Sequence, residues 1–419
     1  MTKTLNVWWD GEIVGALTID RHGEMGFAYA PNWLVDAEKP ALSFSLPKRD
    51  ESFSRRECRP FFEGLLPEES QRIAVAGALG VSHSNEFKLL NELGGEVAGA
   101  LTLWPEGEAP PAPAGVQQNA PLGDNALVEL LNELPKRPFL AGREGLRLSL
   151  AGAQSKIPVV LVNGEIALPA PGEATSHVLK PPIERFAGAT ENEAFAMQLA
   201  KKIGLSVADV EIRRAGNRSF LLVERYDRIR GGDSVLRRLH QEDFCQALGF
   251  TSDRKYAADG GPVFRDCFEL LRRAASRPAV EVLKLFDAAI FNLIIGNADA
   301  HAKNFSLLYR ENGAIELAPL YDLLSTVYYP ELSPRLAMKI AKRHTLEELK
   351  SSDWEKFADE TGLALRFIRT RAKELASAVS QSIDETKVET LDSAPDKKVV
   401  EEIAKLITAR ASSLRQRVS

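Results

Sequence analysis

The chain has few cysteines: Cys58, Cys245 and Cys267 are far apart among 419 residues. So few and scattered thiols exclude a disulfide framework and a cysteine-rich zinc site, and they predict buried free thiols in a reducing cytosol. No apolar run reaches the length that spans a membrane, and the first residues lack the apolar core of a signal peptide. These absences predict a cytoplasmic protein with no membrane partner.

Neither sign of charge is in large excess, because 53 lysines and arginines oppose 58 aspartates and glutamates and leave a formal net charge of −5. This balance excludes a general attraction to nucleic acid or to anionic membranes. Hydrophobic residues make up 44% of the chain and charged residues 26%, as in an ordinary globular protein. The length predicts two or three domains.

The pattern of strand-like and helical segments predicts an α+β protein, and the predicted secondary structure differs from one part of the chain to the next. Residues 1–105 contain short strand-like runs and helical stretches and are predicted to form a first domain. Residues 106–121 are rich in proline, glycine and alanine, which is typical of an exposed linker. Residues 122–230 mix strands and helices, whereas residues 231–419 are mostly helical, with the most apolar helix at residues 282–295.

Three local predictions concern turns and helices. Asp10-Gly11 between two strand-like runs predicts a hairpin with a type I′ turn, because both residues tolerate a positive φ. A helical stretch is predicted from Phe61 to about residue 80. Residues 381–398 are polar and are predicted to be loosely held, before a final amphipathic helix around residues 399–414.

The most informative stretch is GNADAHAKNF at residues 296–305, followed about one short hairpin later by Tyr321-Asp322. The spacing from Asp299 to Asn304 equals that of the protein-kinase catalytic loop H-R-D-x-x-x-x-N. Phosphoryl transfer requires a residue that accepts or orients the hydroxyl proton, a role that suits Asp299. It also requires oxygen ligands for Mg²⁺, and Asn304 and Asp322 suit that role.

Single aspartates and asparagines usually cap helices or make turns. The ordered set after a buried apolar helix nevertheless favours phosphoryl transfer, on a loop carried by a rigid support. His301 and Lys303, inside the loop, suit contact with phosphate or positioning of Asp299. A purely structural role for either residue stays open.

Two further segments suit nucleotide binding. In the small-residue segment at residues 149–156, backbone amides can approach phosphates and Lys156 adds positive charge; a plain hairpin is the alternative. A strand that ends in Lys180 is followed by a helix bearing Glu193, as in kinases where such a pair grips the phosphates. Thr190 with Glu193 also predicts a capping box for that helix.

The segment at residues 223–227 lies where an inter-lobe hinge would present backbone groups to adenine. Arg225 and Asp227 are alternatively an ordinary surface ion pair.

The order of S-x-x-G-A-Q-x-K, H-x-x-K, V-E-R-Y-D, G-x-x-D-x-H-x-K-N-F-S and Y-D-x-x-S resembles the HipA family of bacterial serine/threonine kinases, the toxin half of toxin–antitoxin pairs. The F-x-G-L-L-P-E segment at residues 62–68 and Lys255-Tyr256, followed by residues 259–262, are also similar to that family. The resemblance covers nearly the whole chain. It implies a kinase-like two-lobed fold, with a family-specific N-terminal α/β subdomain and a mostly helical C-terminal lobe.

The resemblance also implies ATP and Mg²⁺ as cofactors, a HipB-type helix-turn-helix antitoxin as partner, operator DNA bound mainly through that antitoxin, and an aminoacyl-tRNA synthetase as substrate. Asp299 would be the catalytic proton acceptor, Asn304 and Asp322 the metal ligands, and Ser149 the site of autophosphorylation, with Ser155 as a second candidate. The residues implied to surround the nucleotide are Ala151, Gly152, Ala153, Gln154, Ser155, Lys156, Lys180, Glu224, Arg225, Tyr226, His301, Ala302, Lys303, Asn304, Tyr321 and Asp322.

Three other functions stay open at this point. The chain could act mainly as a nucleotide-binding co-repressor that stabilises an antitoxin on DNA. A metal-dependent phosphohydrolase would release free phosphate and form no phosphoprotein. A lipid or small-molecule kinase is the nearest enzymatic alternative, because the loop contains a histidine.

Overall fold

A computed structural model describes residues 2–111, 119–231 and 235–418, so residues 112–118 of the predicted linker lie outside the described residues. The N-terminal region contains an antiparallel sheet in the order β3-β2-β1-β4. Its elements are β1 (Lys3–Trp9), β2 (Glu12–Ile19), β3 (Met25–Tyr29), α1 (Pro31–Val35), α2 (Arg55–Glu63), α3 (Glu69–Leu79), α4 (Glu86–Leu93) and β4 (Leu101–Pro105). Between β1 and β2, Asp10 (φ 48°) and Gly11 (φ 80°) confirm the predicted turn.

The continuous helix predicted from Phe61 to residue 80 is wrong. The first helix, α2, ends at Glu63, and α3 starts at Glu69. Pro67 lies between them, and a proline pushes the residue before it, Leu66, away from helical backbone angles. The resulting link between α2 and α3 meets a loop of the middle region at residues 149–156, which contains Gly152 and is called the glycine-containing loop below.

The middle region is built on an antiparallel sheet in the order β6-β5-β7-β9-β8. Its elements are α5 (Asp124–Glu133), β5 (Ile157–Val162), β6 (Glu165–Ala167), β7 (His177–Lys180), α6 (Ala189–Lys202), β8 (Val210–Ala215) and β9 (Arg218–Glu224). Side chains alternate between the faces of β9, so Phe220 and Leu222 join the N-terminal core, while Leu221 and Val223 join the C-terminal core. The sheet therefore lies between the two hydrophobic cores.

The predicted capping box at Thr190 is wrong, because α6 already begins at Ala189. Its cap is Gly188, which has φ 69°, and a Cβ on Gly188 would lie 2.6 Å from Cγ2 of Val399. The left-handed backbone and the close approach of the last helix both require glycine there.

The C-terminal region is mostly helical, with a three-stranded antiparallel sheet of β12, β13 and β14. Its elements are β10 (Arg228–Arg230), β11 (Leu236–Arg238), β12 (His240–Asp243), α7 (Phe244–Leu248), α8 (Phe264–Ala274), α9 (Pro278–Ile295), β13 (Ser306–Tyr309), β14 (Ile315–Leu317), α10 (Asp353–Thr361), α11 (Leu365–Ser393) and α12 (Lys397–Arg417). This combination of antiparallel sheets and helices confirms the predicted α+β class.

The prediction that residues 381–398 are loosely held is wrong. These residues continue α11 to Ser393, and Ile383, Thr386 and Thr390 are buried. The threonine hydroxyls donate to carbonyls one turn earlier, Thr386 to Ser382 and Thr390 to Thr386, over 2.9 Å each. Polar side chains can therefore be buried in this helix without an unsatisfied donor.

The predicted free thiols are confirmed, because all three cysteines are buried and unpaired. Within the part of the chain that the structure describes, no helix has both the length and the apolar character needed to cross a membrane.

Candidate active site

The loop after α9 carries the predicted catalytic residues on a rigid support. The helix is capped by Gly296 with φ 73°, and a Cβ there would lie 2.3 Å from Cγ2 of Val327, so glycine is required. From α12, Arg410 donates to the carbonyls of Leu293 over 2.9 Å and Ile294 over 3.2 Å. These bonds satisfy acceptors that a helix end leaves without intrahelical partners.

Asn297 joins the two segments that bear the predicted carboxylates. Its Nδ2 donates to the carbonyl of Asp322 over 3.2 Å, and its Oδ1 accepts the amide hydrogen of Asp299 over 3.2 Å. Asn304 donates its Nδ2 to the carbonyl of Asp299 over 3.2 Å. The structure therefore brings the three residues together, while their roles as base and metal ligands stay predictions.

Lys180 on β7 lies between two carboxylates. Its ammonium is 2.7 Å from Oε1 of Glu193 on α6, which confirms the predicted pair, and it also donates a hydrogen bond to Asp322. Burial disfavours ionisation of Asp322, but Lys180 and Lys156 outweigh burial and hold the pKa of Asp322 below its ordinary value. The carboxylate is therefore charged at neutral pH, as a metal ligand must be.

The loop at residues 149–156 brings a second ammonium to the same place. Gly152 has φ 112°, a backbone conformation that favours glycine, and a Cβ added to it would lie 2.6 Å from Nζ of the buried Lys156. Burial lowers the pKa of Lys156, and Asp322 opposes that effect while Lys180 adds to it. These three charged groups are therefore electrostatic neighbours.

The other predicted residues of this loop, Ala151, Ala153, Gln154 and Ser155, are half-buried. Ser155 donates to Oε1 of Gln71 over 3.2 Å. Ser149 is fully buried and donates to the carbonyl of Leu65 over 2.7 Å. The loop is therefore fastened to the N-terminal region through both candidate serines.

Asp299 is exposed and accepts a hydrogen bond from Oη of Tyr256 over 2.9 Å. The Tyr256 ring meets the imidazole of His301 edge to face, with ring centroids 5.2 Å apart. His301 is buried, and its Nδ1 has no hydrogen-bond partner among the described residues. Burial lowers the pKa of His301, so the ring is neutral at pH 7.

Lys303 is buried and contacts carboxylates. Its ammonium is 2.6 Å from Oδ2 of Asp243 and 3.8 Å from Oε1 of Glu68. Burial lowers the pKa of Lys303, but the two carboxylates outweigh burial and raise it. The side chain therefore anchors the catalytic loop, and the predicted contact of Lys303 with a nucleotide stays a prediction. Ala302 beside it is fully buried.

The alternative that Arg225 and Asp227 form a surface ion pair is wrong. Both residues are buried, and their side chains approach to 2.8 Å. Glu96, in the segment between α4 and β4, accepts hydrogen bonds from Arg225 over 3.1 Å and from both Arg228 and Arg238 over 2.6 Å. The guanidinium of Arg225 is thus held in this cluster, which restricts the predicted nucleotide contact of Arg225 to its backbone.

The neighbouring residues of the predicted hinge differ in exposure. Glu224 is exposed at the end of β9. The ring of Tyr226 stacks on that of Tyr321, with centroids 5.6 Å apart and an interplanar angle of 22°. Tyr321 donates to the carbonyl of Lys303 over 2.7 Å. The stacked pair therefore connects the hinge to the catalytic loop.

The residues present fit a magnesium–nucleotide group. Asn304 and Asp322 provide the oxygen ligands that Mg²⁺ prefers, of which proteins usually supply one or two. The unpartnered Nδ1 of His301 and the two lysine ammonium groups, Lys156 and Lys180, suit an anionic ligand. Across residues 2–111, 119–231 and 235–418, no group of three or more His, Cys, Asp or Glu side chains is arranged to hold a metal.

Comparison with known proteins decides the family. The sequence pattern described as the HipA N-terminal domain matches residues 5–104, and that described as the HipA-like C-terminal domain matches residues 148–386. This chain belongs to the HipA family. The predicted family is therefore confirmed.

Relatives match over nearly the full length. The "Serine/threonine-protein kinase toxin HipA" of Shewanella oneidensis is 30% identical over 399 residues, which are 92% of this chain and 89% of that protein. The "Putative kinase Y4mE" of Sinorhizobium fredii is 58% identical over 415 residues, 99% of each chain.

A solved structure of the Shewanella oneidensis HipA, in complex with HipB and its operator DNA, covers 99% of this chain and 96% of that chain, with a TM-score of 0.82 and 27% identity. This similarity confirms the predicted α+β, kinase-like fold.

Two residues of the site were missed by sequence reasoning. Glu68 reaches Lys303 from the N-terminal region, and Tyr256 reaches Asp299 from the segment before α8. Both belong to short motifs whose role in the site was not predicted, since they stood out only by their likeness to the family. For Glu68 the available signal was a charged residue in an apolar motif, and for Tyr256 it was a hydroxyl-bearing residue shortly before a glycine-rich motif.

Proposed function

We propose that this protein is a serine/threonine-protein kinase toxin that transfers the γ-phosphoryl group of ATP to a protein hydroxyl. One observation carries the proposal: Asn297 hydrogen-bonds the backbone of both Asp299 and Asp322, while Lys180 contacts Asp322. This arrangement supports a site in which Asp299 acts as base, Asp322 as metal ligand and the ammonium of Lys180 as phosphate contact. The name of the Shewanella oneidensis relative supports the same reaction.

When bound, ATP would supply the phosphoryl group and Mg²⁺ would neutralise the charge that develops on it. Asn304 and Asp322 would hold the metal, and Lys156 and Lys180 would hold phosphate oxygens. Asp299 accepts the proton of the attacking hydroxyl, whose oxygen bonds to phosphorus as the bond to the ADP oxygen breaks. Tyr256 keeps the carboxylate of Asp299 in place through its hydrogen bond.

The test is transfer from labelled ATP to the protein itself and to proteins of a bacterial extract. Asp299→Asn and Asp322→Ala are expected to lower transfer on the order of 10³-fold, equivalent to about 4 kcal/mol of barrier. The matched control is Asp359→Asn, because Asp359 is exposed on α10. Equal transfer by all variants would contradict the proposal, and release of free phosphate without phosphoprotein would indicate a phosphohydrolase.

Autophosphorylation is proposed at Ser149, with Ser155 as the second candidate. The Ser149 hydroxyl is buried against Leu65, so its modification requires the loop at residues 149–156 to leave its present position. A phosphate there adds about two negative charges to the loop that carries Lys156, and these charges would compete with a nucleotide. Phosphopeptide mapping that finds neither serine modified after incubation with ATP would remove this part of the proposal.

The partners are proposed from the relatives. The solved Shewanella oneidensis complex contains HipB and operator DNA, so we propose a HipB-type antitoxin and, through it, operator DNA as partners in the cytoplasm. An aminoacyl-tRNA synthetase is the proposed substrate. Phosphoproteomics after brief expression, comparing the wild type with Asp322→Ala, tests the substrate.

A nucleotide-binding co-repressor is the second candidate, because the same complex contains DNA. It predicts that the wild type forms no phosphoprotein and that Asp299→Asn leaves repression through the antitoxin unchanged.

A further inference from the structure

The link between α2 and α3 approaches the candidate active site from the N-terminal region. At its end, the amide of Glu68 donates to the carbonyl of Gly152 over 3.1 Å, and Pro67 forms a parallel bridge with Gly152. The hydrogen bonds of Ser149 and Ser155 described above also reach the N-terminal region. The glycine-containing loop at residues 149–156 is therefore held by a region of the chain other than the one that contains it.

The carboxylate of the same glutamate points to the catalytic loop. Glu68 is 4% exposed, and its Oε2 is 2.8 Å from the ammonium of Lys255. Its Oε1 is 3.8 Å from the ammonium of Lys303, which in turn contacts Asp243 at 2.6 Å. Lys255 precedes Tyr256, the donor to Asp299. One residue therefore contacts the glycine-containing loop, the catalytic loop and the segment that orients Asp299.

The charges of this cluster balance in pairs. Two ammonium groups, Lys255 and Lys303, face two buried carboxylates, Glu68 and Asp243. Burial disfavours ionisation of Glu68, but Lys303 and Lys255 outweigh burial and lower its pKa to about 2. Removing the charge of Glu68 would leave Lys303 paired with Asp243 and Lys255 paired only with the exposed Glu69. The buried cluster would then have one positive charge in excess, which a protein relieves by moving a side chain or its backbone.

We propose that Glu68 is a positioning residue of phosphoryl transfer, supplied by the N-terminal domain; this inference rests on the proposed kinase function. Its backbone holds the loop that faces the phosphates, and its carboxylate holds the loop that bears Asp299 and Asn304. The separation between the donor phosphate and the acceptor hydroxyl is therefore set through Glu68. Such a residue changes the rate through geometry, and a displacement of about 1 Å can cost about 10²-fold.

Glu69 provides a matched control. It follows Glu68 and its Oε1 is 3.2 Å from the same ammonium, that of Lys255, but its side chain is 62% exposed. An exposed ion pair contributes little, because solvent screens it. Glu68→Gln and Glu69→Gln therefore each remove one negative charge beside Lys255, the first at a buried position and the second at an exposed one.

Two measurements on the full chain test the proposal. The first is hydrogen exchange without nucleotide, in which Glu68→Gln is expected to accelerate exchange in residues 149–156 and 299–304 at least about tenfold, but not in α9 or α11. The second is transfer from ATP, in which the kcat of Glu68→Gln is expected to fall about 10–100-fold while the KM for ATP changes less than about threefold. Glu69→Gln is expected to match the wild type in both.

Each outcome supports or overturns the proposal. Faster exchange throughout the protein, with a fall in kcat that only mirrors the loss of folded protein, would assign Glu68 a general structural role and overturn it. Unchanged kcat would also overturn it. If Glu68→Gln does not fold, Glu68→Asp, which keeps the charge but shortens its reach, is expected to show the same localised exchange and an intermediate kcat. A wild type without any transfer would instead refute the proposed kinase function.

Discussion

The hydroxyl of Tyr256 donates a hydrogen bond to Oδ1 of Asp299 over 2.9 Å. The bond fixes the side chain of an exposed carboxylate that the proposed reaction requires as a base. The Tyr256 ring is itself held against His301. The orientation of Asp299 is thus determined from a segment more than 40 positions earlier in the chain.

Tyr256→Phe tests this relationship. The variant keeps the ring contact with His301 and removes the hydrogen bond, which for a charged acceptor contributes about 1.5–3 kcal/mol. We expect kcat to fall about tenfold or more, with little change in the KM for ATP. Tyr328→Phe is the control, because the Tyr328 hydroxyl donates over 2.6 Å to Glu402 on α12 and not to Asp299. Equal kcat values for both variants would contradict the prediction.

Lys180→Met is predicted to abolish most activity. The change leaves Glu193 and Asp322 without the ammonium that both contact, and burial already raises the pKa of Glu193. We expect transfer to fall on the order of 10²–10³-fold and ATP binding, measured by calorimetry, to weaken. Lys201→Met is the control, because the Lys201 side chain is 62% exposed and pairs with Asp209. Wild-type ATP binding by Lys180→Met would contradict the assigned role.

Stability is predicted to depend on pH through Glu242, which accepts hydrogen bonds from the Phe44 amide over 2.9 Å and from Oη of Tyr309 over 2.5 Å. Burial raises the pKa of Glu242 from 4.5 to about 7, although hydrogen bonds from Ser43 and Tyr309 oppose that effect. Between pH 4.5 and about 7 the folded protein keeps a proton that the unfolded chain releases. The free energy of unfolding therefore falls as pH rises through this range.

Glu242→Gln removes this titration. At about 1.4 kcal/mol for each pH unit, the loss of stability between pH 4.5 and 7 that is due to Glu242 amounts to about 3 kcal/mol. We expect urea denaturation to show a smaller decrease in stability from pH 5 to pH 8 for the variant than for the wild type. Glu51→Gln, at an exposed position, is the control. A parallel pH dependence in all three proteins would count against the prediction.

Arg410→Met is predicted to loosen the support of the catalytic loop. The guanidinium of Arg410 donates to two carbonyls at the end of α9, and losing buried hydrogen bonds costs about 1–3 kcal/mol. We expect the free energy of unfolding to fall by about 2 kcal/mol, as measured by urea denaturation. Lys405→Met, at an exposed position of the same helix, should leave it within about 0.5 kcal/mol.

The parts of the site that are close in sequence were predictable. The loop at residues 299–304 follows an apolar helix, and the pair of Lys180 and Glu193 is separated by a single short connection. Spacing alone places such residues on neighbouring elements. The contacts of Glu68 with Lys303 and of Glu96 with Arg225 join residues more than 100 positions apart, and no local pattern predicts such a pairing.

Two of the wrong predictions have a common physical cause. Residues 381–393 look polar, but their threonines bond to their own helix. Arg225 and Asp227 look like surface residues, but they pair with each other, and Glu96 also accepts a hydrogen bond from Arg225. In both cases a polar side chain is buried because a partner satisfies it. The sequence shows that a side chain is polar, but it does not show which hydrogen-bond or ion-pair partner will meet that side chain in the folded protein.

The Glu96 cluster has a consequence for dissecting the protein. The two family patterns leave a gap between residues 104 and 148, which invites cutting the chain there to obtain a free-standing catalytic half. That half would retain Arg225, Arg228 and Arg238 but lose the carboxylate on which all three converge. In the severed fragment, Asp227 would still pair with Arg225 and Arg228, but the three guanidinium groups would lack the charge of Glu96. Supplying residues 2–104 as a separate chain should therefore raise the stability of the fragment.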